Sequence, residues 1–173
     1  MATQERTVEA QRLRDEIAEA NAHYVENVHH ERMTGQPRRR LAILTCMDAR
    51  IDPAAVFGLH EGEAHVMRNA GARVTDDVLR SLALSQMAMH TEMIMVVQQT
   101  SCGLHHADEG ALRTQFRDEL GVEFTMPFLT FGDQLATMRA DLARLRDCPW
   151  LKHRDAVWGY LYDVLTGTLT PVE

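Results

Sequence analysis

Long apolar runs are missing from this 173-residue chain. None approaches the ~20 residues that a membrane-spanning helix requires, so no membrane partner is expected. Cysteine is scarce. The three thiols, Cys46, Cys102 and Cys148, are odd in number and far apart, which excludes a secreted disulfide framework. Positive charge is in deficit. Lys and Arg number 18 against 25 Asp and Glu, a net charge of −7, which argues against nucleic acid as a partner. The one dense basic run, Arg38-Arg39-Arg40, reads as a solvated loop before a strand. Repeats and low-complexity segments are absent. The first residues, Met-Ala-Thr-Gln-Glu-Arg, are polar and do not read as a secretory leader. A reducing cytoplasm is therefore the expected location, and it keeps thiols free for metal.

What is present suits one globular domain over residues 1–173. Apolar residues make up 45% of the chain and charged residues 25%, enough for a sizeable core. Residues 3–32 contain no Gly or Pro and are rich in helix formers. Their apolar stripe, Val8, Leu13, Ile17, Ala18, Tyr24, Val25 and Val28, is thin. Two readings stand: a helical arm over 1–34 that packs on a second subunit, or a partly frayed terminus. His29-His30 reads as a solvated pair near the helix end.

Leu41–Thr45 is a short apolar run with strand character, and Asp52-Pro53 starts a short helix that ends by Gly58. A second strand is expected over Ala64–Arg68, followed by the small-residue loop Asn69-Ala70-Gly71-Ala72. Thr75-Asp76-Asp77 opens a helix to His90 that is apolar nearly all round and is expected to be buried. Met93–Val97 reads as a strand covered on both faces. Helices are expected over 105–120 and 131–146, with a further short strand over Val122–Thr125. Trp158–Leu165, the turn Thr166-Gly167-Thr168 and Leu169-Thr170 form a terminal hairpin. Strands alternating with helices give an α/β fold with a mainly parallel sheet flanked by helices.

The chemistry concentrates at two strand ends. Cys46-Met47-Asp48-Ala49-Arg50 follows the first run and puts a thiol, a carboxylate and a guanidinium on alternate residues. In extended backbone such residues share one face. Cys102 follows the Met93–Val97 run in the same manner. Ligands of open parallel sheets sit at the carboxyl ends of strands. Two thiolates from neighbouring strand ends suit zinc, with Asp48 as a third ligand or orienting a water and Arg50 holding Asp48. The competing reading is that both cysteines are small buried hydrophobes.

These residues carry a likeness. Cys46-Met47-Asp48-Ala49-Arg50, Arg68-Asn69-Ala70-Gly71, Thr75-Asp76-Asp77 and Thr100-Ser101-Cys102-Gly103 occur in the order of the β-class carbonic anhydrases, and the chain resembles that family's short bacterial members. The resemblance implies a mainly parallel sheet flanked by helices, with an N-terminal helical arm crossing onto a partner in a homodimer or higher homo-oligomer. It implies zinc, reversible hydration of carbon dioxide to bicarbonate, Cys46 and Cys102 as thiolate ligands, and Asp48 and Arg50 as the catalytic dyad.

The family's third ligand does not carry over. Its pattern is His-x-x-Cys, and the residue three before Cys102 is Gln99, with Gln98 beside it and Ser101 where the family has Asp. An amide oxygen is a weak zinc ligand. Three outcomes are open: Asp48 closes the coordination sphere with Gln99 or water, another imidazole (His105 or His90) reaches in, or no metal is held. Three functions stand beside these outcomes: a zinc lyase of this family's type, impaired by Gln99; a catalytically inactive or metal-free homologue serving as a dimeric scaffold or binding protein; and a hydrolase of carbonyl sulfide or carbon disulfide that keeps the fold and the zinc. Cys148 reads as structural or exposed.

Overall fold

The apolar runs at 41–46 and 93–99 form the two inner strands around which the remaining elements are arranged. The computed structural model describes residues 2–27 and 33–173, in two units, Met1–Thr34 and Gly35–Glu173. The first unit is helix α1, Ala2–Asn27. Val8, Leu13, Ile17 and Val25 are all more than half exposed along it. Arg12 pairs with both Glu9 and Glu16 at helical spacing. His29 and His30 lie outside the described residues.

The second unit runs β1 (Leu41–Cys46), α2 (Pro53–Phe57), β2 (Ala64–Asn69), α3 (Asp76–Met89), β3 (Met93–Gln99), α4 (Glu109–Leu120), α5 (Gln134–Asp147), β4 (Val157–Tyr162) and β5 (Leu169–Val172). The strands form one sheet in the order β2-β1-β3-β4-β5. All neighbours are parallel except β4 and β5, the terminal hairpin. Ile43, Leu44, Ile94, Val96 and Val97 are fully buried, as continuous apolar strands covered on both faces must be. Leu82 of α3 and Met138, Leu142 and Leu145 of α5 complete the core. Gly159 of β4 lets α5 approach: a Cβ there would meet Leu142 Cδ1 at 2.8 Å and Met138 Sδ at 3.0 Å. No helix among the described residues is long and apolar enough to cross a membrane.

Several elements differ from the sequence expectation. Val122–Thr125 is not a strand. Phe124 and Phe128 pack with Phe116 of α4, and Arg113 donates to the carbonyls of Phe124 and Met126, so those carbonyls are satisfied by a guanidinium rather than a ladder. α4 begins at Glu109, not 105, because Asp108 caps it. α5 begins at Gln134 for the same reason, with Asp133 as cap. α3 is not buried all round: Val78, Leu79 and Leu82 are inside, but Leu84, Met87 and Met89 are 53%, 66% and 40% exposed. The helix packs on the sheet by one stripe and leaves an apolar outer face.

Candidate functional site

β1 has β2 on one side and β3 on the other, so the chain direction across the sheet reverses there. A reversal of strand order opens a crevice at the carboxyl ends. Cys46 is the last residue of β1 and Gln99 the last of β3, and both are buried at this point. The extended geometry does not continue to Arg50, contrary to the expectation from alternate spacing. The strand stops at Cys46, and Ala49-Arg50 lie in a turn. Asp48 and Arg50 meet because the Arg50 backbone N–H donates to Asp48 Oδ1 at 2.9 Å, an Asx-type turn.

Cys46 and Cys102 come together. Both are buried and free of disulfide, and each shifts the titration of the other. The contact with Cys102 lowers the pKa of Cys46 to about 5, against the opposing effect of burial. The Gln99 side chain and the backbone N–H groups of Asp48 and Gly71 add to the depression, Gly71 N lying 3.3 Å from Cys46 Sγ. Cys102 is pushed up, first by the same contact and then by burial. Gly71 has φ +77, and a side chain there would be strained and would meet Leu104 Cδ1 at 3.0 Å. The left-handed backbone aims its N–H at the sulfur.

Arg50 grips Asp48 with Nε at 2.9 Å from Oδ1 and Nη2 at 2.6 Å from Oδ2. Nη2 also donates to the carbonyl of Ser101, tying the β1 end to the loop that carries Cys102. The Arg50 side chain, followed by its backbone N–H, holds the Asp48 carboxyl well below the usual carboxylate range. A depressed carboxyl adds stability that is present above its unfolded value of ~4 and lost as pH falls toward the folded one. Arg50 is half exposed, so solvent screening keeps that contribution small. Arg50→Ala is expected to return the Asp48 midpoint toward ~4, followed by carboxyl-carbon NMR shifts against pH. A midpoint that stays low would mean that Gln99 and the turn hold it alone.

Gln99 is fully buried. Its Nε2 donates to Asp48 Oδ2 at 3.2 Å, while its Oε1 has no hydrogen-bond partner. Gln98 beside it is also buried with both side-chain polar atoms unpartnered. An orphaned buried acceptor costs about 1–3 kcal/mol. Turning the Gln99 amide about its last bond exchanges the two atoms and brings the acceptor to the Cys46 and Asp48 side. The residues present thus fit a metal ion through two strong donors, the sulfurs, and one weak one, the amide oxygen. Among the described residues no three His, Cys, Asp or Glu side chains are grouped to hold a metal. Arg50 occupies both oxygens of Asp48, so ligation by Asp48 requires the guanidinium to release one of them.

The candidate imidazoles stand elsewhere. His105 contacts the carbonyl of Gly132 and stacks on His106 and Phe131. His90 caps the carboxyl end of α3 and is exposed. Cys148 is buried beyond the end of α5, a structural position. Sequence reasoning gave no role to three residues of the site. Arg68 donates to the carbonyls of Cys46 and Asp48 and clamps the turn between them. Gly71 reaches Cys46, and Gln134 Nε2 donates to the Gln99 carbonyl at 2.7 Å. The Arg68-Asn69-Ala70-Gly71 run was the available signal for the first two. Gln134 lies in an ordinary helical pattern and had none.

Comparison with known proteins gives consistent findings. Residues 41–121 match the family model described as carbonic anhydrase. The chain is 38% identical over 136 residues to β-carbonic anhydrase 1 of Mycobacterium tuberculosis, covering 79% of this chain and 83% of that protein. It is 31% identical over 169 residues to a carbon disulfide hydrolase of Saccharolobus solfataricus, covering 83% of each. Among solved structures it superposes on a carbonic anhydrase from Streptococcus mutans with a TM-score of 0.87 at 37% identity, covering 92% of this chain and 96% of that one.

Proposed function

The chain belongs to the β-class carbonic anhydrase family of lyases, and on that premise we propose that it interconverts carbon dioxide and bicarbonate at the centre formed by Cys46, Asp48, Arg50 and Cys102. One observation carries the proposal: a carboxylate gripped on both oxygens by Arg50 stands with two buried thiols at the strand ends where the sheet order reverses. Cys46 and Cys102 would hold zinc, with the Gln99 amide oxygen as a weak third donor and Asp48 as the alternative. Bound there, zinc would supply Lewis acidity, which makes water a competent nucleophile near neutral pH.

The chain's own groups do the rest. Asp48, ionised at any working pH, accepts a hydrogen bond from the reacting hydroxyl and so aims its lone pair. Arg50 keeps Asp48 charged and oriented, and its bond to the Ser101 carbonyl keeps the two strand ends in register. Gln99 Nε2 competes for Asp48 Oδ2 and so attenuates both functions. The test is stopped-flow hydration of carbon dioxide with zinc content measured on the same sample. Cys46→Ser is expected to lose both metal and rate, and a wild-type protein fully loaded with zinc yet no faster than buffer would overturn the proposal.

A second reading, a metal-free homologue serving as a scaffold or binding protein, is favoured by one observation: Gln99 presents a donor, not an acceptor, toward Asp48. Folded protein that stays free of zinc at equimolar metal would select it. Hydrolysis of carbon disulfide, the named activity of the 31% identical relative, is separated by sulfide release in the same assay.

The proposal extends to assembly and place. The 1–34 arm packs on a second copy in a homodimer or larger homo-oligomer in the reducing cytoplasm. The exposed Val8, Leu13, Ile17 and Val25 of α1 support this, as does an apolar groove of about 270 Å³ between β2 and α3, lined by Met67, Leu84 and Met89. Sedimentation velocity is expected to give a dimer or larger; a monomer at micromolar concentration sinks this part alone.

A further inference from the structure

We propose that residues 107–128 form a flap that opens as one body about His106 and Leu129, and that its closed state holds down the loop whose Gly71 N–H reaches Cys46. The segment is self-contained. None of its residues is buried, and α4, unlike α3 and α5, sends no side chain into the core. Its apolar residues serve a cluster of their own: the rings of Phe116, Phe124 and Phe128 lie 4.4 to 5.5 Å apart. Arg113 is the keystone. It donates to the carbonyls of Phe124 and Met126, pairs with Glu109 at 2.6 Å and stands over the Phe128 ring. Arg117 also pairs within the segment, with Asp118 and Glu123. Contacts that close on themselves survive when the unit moves, so opening costs less than unfolding the sheet.

The ends of the segment are built to turn. His105 and Phe131 form a bridge, with His106 N–H donating to the Phe131 carbonyl at 2.7 Å and Phe131 N–H to the Leu104 carbonyl at 3.1 Å. Just inside it stand His106 and Leu129, both with φ of 60°, a left-handed backbone that non-glycine residues adopt at a cost. Such backbone persists only while its surroundings hold it, and opening lets both residues relax. The same neck touches the strand-end centre. The Arg73 guanidinium donates to the Leu129 carbonyl at 2.8 Å and lies 6.0 Å from the Phe131 ring centroid, while Asn69 holds the Arg73 backbone on both sides. Leu104 stands against Gly71, whose N–H lies 3.3 Å from Cys46 Sγ. His105 N–H donates to the Cys102 carbonyl at 3.0 Å. An open flap pulls on Leu129 and Phe131 and slackens both loops of the centre. This coupling is independent of the reaction the centre performs.

The test is hydrogen exchange of the full chain, followed peptide by peptide by mass spectrometry at several low urea concentrations. In wild type, α4 is expected to exchange at least about tenfold faster than β1 and β3, as one group with a shared, small dependence on urea. Arg113→Met removes the keystone and is expected to speed exchange of 107–128 by about 10- to 100-fold. Peptides 69–73 and 102–106 are expected to follow by at least about threefold, with β1 and β3 unchanged. If Arg113→Met does not fold by circular dichroism, Phe124→Leu, which loosens the ring cluster alone, takes its place. Exchange of α4 in step with β1 and β3, or a flap variant that leaves 69–73 and 102–106 at the wild-type rate, would overturn the proposal. Zinc content and hydration rate test the lyase reading separately, and neither enters this readout.

Discussion

Gln99→His, supplied with zinc, is expected to hydrate carbon dioxide about 100-fold faster than the natural sequence under the same conditions. The position is suited to the change. Gln99 is fully buried at the end of β3, beside Cys46 and Asp48, and its backbone is fixed by Gln134 through the carbonyl, which the substitution leaves in place. Imidazole presents a nitrogen lone pair where the amide presents an NH₂, and it completes a sulfur–nitrogen–sulfur set. It also releases Asp48 Oδ2 from the amide, leaving the carboxylate to Arg50 and to the reacting hydroxyl. The orphaned Gln99 Oε1 disappears at the same time. The measurement is kcat/KM by stopped flow, normalised to bound zinc. A variant that fills with zinc and gains less than about threefold would move the lesion to Ser101, whose carbonyl receives Arg50 and whose side chain is not the family's carboxylate.

Much of this site was legible before any coordinates. The apolar runs at 41–45 and 93–97 were continuous, and only fully covered strands read that way, so the two central strands and the cysteines at their ends were visible together. What failed did so for local reasons. Alternate spacing places Asp48 and Arg50 on one face of an extended chain, yet the strand ends at Cys46 and the pair forms through an Asx turn. A carboxylate that accepts the backbone N–H two residues on belongs to a turn, and strand alternation does not distinguish it from a shared face. Val122–Thr125 had strand-like composition, but its aromatic residue serves the Phe116–Phe128 cluster. The outer residues of α3 were apolar without being covered, because a single sequence does not say which apolar face is core and which awaits another surface. The substitution at 99 was plain in the sequence; its amide orientation depends on Asp48, 51 residues away.

The largest effect on stability is expected at a pair outside the site. Arg73 donates through Nε to Asp141 Oδ2 at 2.7 Å and through Nη1 to the Leu129 carbonyl at 2.8 Å. Their side chains are only 15% and 6% exposed, so the charges are largely cut off from water. Asp141→Ala is expected to cost about 3–5 kcal/mol, because it leaves a buried guanidinium without its counter-charge. The loss is read as a lower urea midpoint at unchanged slope. Replacing both partners, Arg73→Met with Asp141→Leu, is expected to recover most of the loss, since a buried pair is worth little more than well-packed apolar groups of similar size. The damage of the single change reaches the site through a short route. Asn69 holds the Arg73 backbone from both sides, accepting its N–H and donating to its carbonyl, and this closes the turn that carries Gly71. Gly71 is the N–H aimed at Cys46. Asp141→Ala is therefore expected to weaken metal retention as well as folding, and the double variant is expected to restore folding first. A single-variant cost below about 1 kcal/mol would mean that water reaches the pair and that this support is dispensable.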